Sequence, residues 1–195
     1  MTLTATVTLN ARLQPMDRGE RYEDPLMEAL ADRAYYEVVG GGSMLFPGGN
    51  KIAYCCIDID IHHLGNSIPL ITETLTAAGA PKGSYISYAD QKGKQRVVRF
   101  GKTVGLAIYL NGTDLPKEVY FKCDVNDVIS AIDELLEGFG SYQSYWQGPT
   151  ETALYVYGSS HAKMRKALRG LLADYPLCAR CRVVELSTNV EDDDR

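Results

Sequence analysis

Basic residues are scarce in this sequence. Lys and Arg number 20 against 25 Asp and Glu, so the formal net charge is −5. Binding along a nucleic-acid backbone requires clustered Lys and Arg side chains that neutralise phosphates. The charge balance therefore predicts no nucleic-acid partner. It favours a protein partner that is itself basic, because an acidic surface attracts a basic one.

Long apolar runs are also absent. No stretch approaches the roughly 20 apolar residues needed to span a bilayer, and the opening MTLTATVTL lacks the basic start and apolar block of a signal peptide. The cysteines are five, an odd number, and most lie within apolar runs rather than loops. This usage argues against a disulfide framework and for a reducing compartment. We therefore expect a cytoplasmic protein with no membrane partner.

Complete catalytic or cofactor motifs are missing as well. The glycine run Gly40–Gly42 precedes a strand and fits neither the P-loop nor the dinucleotide-binding pattern. Cys178 and Cys181 form a single C-x-x-C at the entry to a predicted strand, without the second pair that a zinc site needs. No Ser, His and acid stand at an interpretable spacing for nucleophilic catalysis. We expect no cofactor, no metal and no catalytic residue.

The clearest pattern that is present is a strand of alternating residues between Lys51 and His63. Its isoleucines point to one face and its carboxylates to the other, as in a strand with one buried face. A turn at Phe46–Asn50 joins it to a preceding strand over Tyr36–Leu45. The polar face of the alternating strand carries Tyr54, Cys56, Asp58, Asp60 and His62.

The order of predicted elements repeats in the two halves of the chain. Each half reads as strand, helix, strand, strand, helix, strand, and Asn10, Asp24 and Gly48 have counterparts about 100 residues later, at Asn111, Asp124 and Gly148. We therefore predict an α+β protein of tandem β-α-β-β-α-β, ferredoxin-like units, with antiparallel sheets and helices on one face. Residues 1–90 form the first predicted unit and 91–190 the second. The polar stretch 89–95 is the expected linker, and 191–195 is an acidic tail.

Each predicted sheet has one face that its two helices do not cover. In the first unit this face combines threonines of the first strand with the acids of the alternating strand, and in the second it is aromatic. We expect partner contacts here because acids supply electrostatic attraction and aromatic residues supply desolvated anchors. The candidate partner-binding residues are Glu37, Tyr54, Asp58, Asp60, His62, Tyr155 and Tyr157.

Three features of the chain are shared with a known group of proteins. They are its size, its acidity and the hairpin that contains Gly-Gly-Gly and Ile-Ala-Tyr-Cys-Cys-Ile-Asp-Ile-Asp. The chain resembles small acidic bacterial proteins, many of them uncharacterised, that neutralise toxins of rival strains as immunity proteins. The resemblance covers mainly residues 36–63 and transfers no functional residue. It implies a non-enzymatic protein-binding module whose partner is a basic toxin or enzyme, covered at its active site.

Two other function classes stay open from the sequence. The pair Asp58 and Asp60 would suit a metal- or nucleotide-dependent enzyme in a cleft between the two units, as in the palm-type polymerases and cyclases that share this core. A small-molecule sensor is the other class, because regulatory domains are often built on this fold. The uncovered sheet faces could instead pack on each other or on a second copy of the chain, and such packing is the usual fate of a large aromatic face.

Overall fold

A computed structural model describes residues 2–31, 33–190 and 192. Within it the chain divides into two compact units. One comprises the residues up to Lys102 together with a short segment that begins at Thr188, and the other comprises Thr103–Ser187. The predicted boundary at residues 90 and 91 is therefore about a dozen residues too early. The predicted acidic tail 191–195 lies outside the described residues, except for Asp192.

The first unit is built around a five-stranded antiparallel sheet of order β2-β3-β1-β4-β5. Its first four strands have the ferredoxin-like order, and β5 extends one edge. The elements are β1 (Leu3–Leu9), α1 (Pro15–Arg18), a π-helical turn (Gly19–Glu23), α2 (Asp24–Leu30), β2 (Tyr36–Leu45), β3 (Ile52–Ile61), α3 (Leu64–Ala77), β4 (Ser84–Ala89) and β5 (Gln95–Phe100).

The core of the first unit lies between one sheet face and its helices. The inward residues of β1 and β3, including Val7, Ile57 and Ile59, are fully buried. Leu26 of α2 and Ile71 of α3 are buried from the helical side. The alternation in the sequence therefore identified the covered face of this sheet correctly.

The sequence favours a polar loop at residues 10–23 and a second helix capped by Ser67, and both of these expectations are wrong. The segment 10–23, predicted as a polar loop, is helical from Pro15 and contributes the fully buried Tyr22 to the core. Helix α3 begins at Leu64 rather than after Ser67, whose hydroxyl donates to the carbonyls of Tyr35 and His63 instead of capping the helix.

The predicted linker 89–95 is a hairpin turn inside the first sheet. The Asp90 carboxylate accepts the backbone N–H groups of Lys92 and Lys94, and Gly93 supplies the left-handed backbone of the turn with φ of 74°. Asp90 also pairs with Arg96. A polar, apolar-poor stretch thus marks a tight connection between β4 and β5, not a boundary between units.

The second unit repeats the topology with a four-stranded antiparallel sheet of order β7-β8-β6-β9. Its core packs Leu106, Ile108 and Val156 of the sheet against Ile132 and Leu168 of the helices. The elements are β6 (Val104–Asn111), α4 (Lys117–Lys122), α5 (Val125–Leu136), β7 (Gly140–Gln147), β8 (Glu151–Gly158), α6 (His161–Asp174), a 3-10 turn (Pro176–Cys178) and β9 (Arg182–Glu185). The tandem ferredoxin-like architecture is confirmed.

Across the described ranges, no helix combines the length and the apolar character that a bilayer crossing requires.

Candidate functional site

The two aspartates of β3 lie on the sheet face that points away from the helices. Strand alternation places them there, because Ile57, Ile59 and Ile61 take up the buried face. Asp58 and Asp60 are half-buried side by side on that face, about 7 Å apart by the strand rise. They form the centre of what we call the acidic face, defined by Glu37, Asp58 and Asp60.

Threonine hydroxyls of β1 hold both carboxylates. The antiparallel register places Thr6 opposite Asp58 and Thr4 opposite Asp60. The Thr6 hydroxyl donates to Asp58 Oδ1 at 2.9 Å, and the Thr4 hydroxyl donates to Asp60 Oδ1 at 3.0 Å. Each carboxylate is thereby oriented through one oxygen. Among the described residues, no lysine or arginine forms an ion pair with either group.

The third acid comes from the neighbouring edge strand. Glu37 of β2 is exposed and lies opposite Asp60 in the register. Farther along β2, Gly40 lies opposite Asp58, and a Cβ atom built at Gly40 would approach Asp58 Oδ2 to 3.8 Å. A Cβ at Gly42 would meet nothing within 4 Å. The backbone beside the aspartates is therefore bare, which leaves room for a long side chain of a partner to lie along it.

The acidic face becomes less accessible toward the other end of β3. Tyr54 and Cys56 are half-buried, and Thr8, opposite Cys56, is only 5% exposed. Burial raises the pKa of the Cys56 thiol, and the Asp58 carboxylate adds to the rise. The thiol is therefore neutral at physiological pH and is a poor nucleophile.

His62 lies at the opposite, open end of the face. It follows the last residue of β3, and its side chain is exposed. Its backbone N–H donates to the carbonyl of Tyr35 at 2.9 Å, which fixes the main chain here. The structure thus places Glu37, Asp58, Asp60 and His62 on or beside one accessible surface, with Tyr54 at its less accessible end.

The two remaining candidates, Tyr155 and Tyr157, are not accessible. They lie on the face of the second sheet that points away from its helices, as predicted, but they are only 0% and 1% exposed. Neither ring can therefore serve as the partner anchor that the sequence suggested. Large aromatic side chains strongly favour burial, and this preference extends along the face to Tyr109 and Trp146.

A positive charge on the same face of the first sheet was missed. Arg99 of β5 lies opposite Tyr85, which in turn lies opposite Thr8, so all three point away from the helices. The Arg99 guanidinium lies 6.0 Å from the centroid of the Tyr85 ring. The sheet face is therefore acidic at β2 and β3 and basic at β5. The alternation in 95–100 contained the signal, but that segment was assigned to the second unit.

The acidic face consists of carboxylates, the ligand type that hard divalent cations prefer. Glu37 supplies a third carboxylate near the aspartate pair, but in the part of the chain that the structure describes no group of three or more His, Cys, Asp or Glu is arranged to hold a metal ion. The groups that donate to Asp58 and Asp60 are hydroxyls, which orient carboxylates without supplying a phosphate cradle.

The C-x-x-C motif lies in the turn that leads into β9. Cys178 ends the 3-10 turn, Arg180 has a positive φ of 61°, and Cys181 precedes β9. Burial raises the pKa of Cys178 to about 11, with a further contribution from Cys181. All five cysteines of the chain are free thiols in the structure.

The chain matches no protein-family model and no curated protein. Among solved structures, it is similar to an unknown protein from Galdieria sulphuraria, with 11% identity over 96% of this chain and 100% of the other and a TM-score of 0.31. It is similar to the first two RRM domains of yeast poly(U)-binding protein, with 13% identity over 94% and 99% and a TM-score of 0.25. It is also similar to the regulatory subunit of aspartate kinase from Thermus thermophilus, with 12% identity over 88% and 93% and a TM-score of 0.25. All three TM-scores are low, so the ferredoxin-like architecture is assigned from the strand orders themselves.

Proposed function

We propose that the chain is a non-enzymatic protein-binding module that uses the acidic face to contact a basic protein in the cytoplasm. The observation that carries this proposal is the pair of carboxylates, Asp58 and Asp60, each oriented by a threonine hydroxyl and neither paired with a cation of the described residues. Their second oxygens are available to accept hydrogen bonds from a partner's Arg or Lys, and such charge-assisted bonds are among the strong ones.

The surroundings of the aspartates suit a long basic side chain. The bare backbone at Gly40 and Gly42 offers a flat path toward Asp58, and the exposed Glu37 adds negative charge beside Asp60. An acidic patch of this kind accelerates encounter with a basic partner, most strongly at low ionic strength. Tyr54 would contribute apolar contact at the less accessible end of the face.

The finer form of the proposal is inhibition. Toxins and enzymes that act on phosphates present basic clefts, and a protein that covers such a cleft blocks its activity without any chemistry of its own. The bacterial immunity proteins that the hairpin segment resembles act in this way. On this proposal the partner is a basic toxin or enzyme whose active site is covered by the acidic face.

Charge reversal on the acidic face tests the proposal. The double variant Asp58→Lys with Asp60→Lys changes the net charge from −5 to −1, because each substitution adds two positive charges. A matched control is Glu118→Lys with Glu134→Lys, two exposed acids of the second unit that change the net charge equally. The wild type and both variants are tagged and purified in parallel at low and high salt, and the co-purifying proteins are identified by mass spectrometry.

We expect the wild type and the control to retain the same basic protein at low salt, and the Asp58/Asp60 variant to lose it. The purified wild-type chain should then inhibit that protein's activity, and the Asp58/Asp60 variant should not. Equal retention by the Asp58/Asp60 variant would rule out the acidic face as the contact surface. Metal-dependent turnover of a nucleotide, lost in the same variant, would replace the proposal with the enzyme alternative.

A further inference from the structure

The second unit contains a cavity of about 480 Å³ on the helix-covered side of its sheet. It lies where β6 and β7 end and β8 begins, beneath the first turns of α5. There the residues that α5 turns toward the core, Val125 and Ile129, are only partly buried, whereas Val128 and Ile132 are fully buried. The helix therefore leaves this end of the sheet incompletely covered, and the volume falls in the range of small-molecule sites.

Aromatic and aliphatic side chains form the wall of the cavity. Tyr120, Tyr142 and Tyr145 line it together with Leu154 and Ile129. The Tyr120 hydroxyl accepts the N–H of Leu115 at 3.1 Å and donates to the carbonyl of Asn111 at 3.2 Å, so the ring is held in place. Tyr145, 44% exposed, stands at the mouth. Rings at both the wall and the mouth favour a flat aromatic ligand, which stacks on them.

The polar groups of the cavity are uncharged. Thr152 and Gln147 face each other across β7 and β8, and Asn126 contributes from the first turn of α5. Among the described residues, the Thr152 hydroxyl and the Gln147 amide form no hydrogen bond, so both are available to a ligand. None of the residues that line the cavity carries a charge. A charged ligand would lose its hydration here without gaining a countercharge.

We propose that this cavity binds a small, uncharged, planar aromatic molecule that carries a hydrogen-bonding group such as a carboxamide. The ring stacks among the tyrosines, and the polar group bonds to Thr152 and Gln147. This site belongs to the second unit and takes a small molecule, so it is independent of the acidic face and its protein partner.

Matched neutral and charged aromatic probes test whether the cavity selects uncharged ligands. Indole-3-carboxamide and nicotinamide are compared with indole-3-carboxylate and nicotinate, which keep the rings and replace the amide by an anion. Binding is followed by methyl NMR on the full chain. The reporters are Ile129 and Leu154 in the cavity, with Leu135, an exposed residue farther along α5, as the reference. We expect saturable shifts at the cavity methyls with at least one amide, and at least tenfold weaker binding of its carboxylate.

Substitutions then locate the bound probe. Ile129→Trp should abolish the shifts of Leu154 by filling the cavity, and Tyr145→Ala should weaken binding about tenfold by removing a stacking face. Tyr145 is partly exposed, so its variant keeps the test valid even where Ile129→Trp disturbs folding. Thr152→Val preserves the shape and should weaken the amide selectively. Phe121→Ala removes an 88% exposed aromatic residue outside the cavity and should change nothing.

Three results would overturn the proposal. The first is that neither amide shifts the cavity methyls more than the methyls of Leu135. The second is that the carboxylates bind as tightly as the amides. The third is that Tyr145→Ala and Phe121→Ala weaken binding equally. The first would show that the cavity does not accept neutral aromatic molecules, the second that charge does not determine the ligand, and the third that the probe lies elsewhere.

Discussion

Four strands have the same order in both sheets, yet the faces that the sheets turn away from their helices differ in chemistry and in accessibility. In the first unit this face carries the half-buried Asp58 and Asp60, and in the second it carries the buried Tyr155 and Tyr157. Burying an unpaired carboxylate is costly, and leaving a large aromatic patch in water is unfavourable. The topology therefore determines which residues share a face, and the side chains determine whether that face is accessible.

The largest expected effect is a loss of stability, and truncating one tyrosine on each of the two faces compares them. Tyr155→Ala should lower the free energy of unfolding by about 3–5 kcal/mol, because a buried aromatic ring leaves a cavity behind. Tyr54→Ala, at a half-buried position of the first sheet, should cost clearly less. Urea denaturation of both variants measures the difference. Similar losses would show that the two faces are equally covered, and the comparison would fail.

Truncating a buried side chain on the helix-covered side should lower the free energy of unfolding by a similar amount in the two units. Ile57→Ala and Ile132→Ala each remove a fully buried side chain and should cost about 2–5 kcal/mol. Asp58→Asn, which keeps the volume and removes only the charge, is the control and should cost much less. Thermal unfolding compares the three variants. Near-equal shifts for all of them would mean that the first sheet has its covered and accessible faces reversed.

The fold was readable from the sequence because both units follow simple periodicities. The alternation of β1 and β3 and the helical stripe of α5 each identify a buried face, and the structure buries Ile59 and Ile132 accordingly. The failures lie where local polarity competes with tertiary packing. Residues 15–23 have the composition of a charged loop, but they are helical and their Tyr22 is buried in the core. Residues 89–95 have the composition of a linker, but they form the hairpin turn between β4 and β5.

The candidate site was readable only in part. Alternation placed Asp58 and Asp60 on one face, but the pairing of Thr6 with Asp58 depends on strand register, which a single sequence does not specify. The burial of Tyr155 was not readable either, because alternation shows that a residue points away from the helices but not whether that face is accessible. The cavity under α5 depends on where a helix stops covering the sheet, and no local pattern encodes that.

Alkaline pH should weaken the second unit through the buried Cys178. Burial raises the pKa of its thiol from about 9 to about 11 in the folded state. Between these values the unfolded chain releases the proton and the folded chain keeps it. The contribution of this thiol to stability is therefore complete below pH 9 and is lost as pH rises toward 11. The slope is at most about 1.4 kcal/mol per pH unit for one group.

The variant Cys178→Ala isolates this contribution. It should reduce the slope of unfolding free energy against pH between 9 and 11. The slope that remains comes from other groups whose pKa burial raises, such as the Cys55 and Cys56 thiols and, from about pH 10 upward, the Tyr36 hydroxyl. Cys123→Ala, at a half-buried thiol, serves as the control. An unchanged slope in Cys178→Ala would show that this thiol is solvated in the folded protein.

The smallest expected effect concerns the hydroxyls that hold the acids. Thr6→Val removes the donor to Asp58 Oδ1 and keeps a β-branched side chain that suits a strand. A hydrogen bond to a charged group contributes about 1.5–3 kcal/mol when its loss leaves the charge buried and unsatisfied. Asp58 is only half-buried, so water replaces the hydroxyl and the expected loss is under about 1 kcal/mol. Thr2→Val, on an exposed threonine, is the matched control and should be neutral. A loss above about 2 kcal/mol in Thr6→Val would mean that solvent does not reach Asp58, and the acidic face would then be as closed to a partner as the aromatic one.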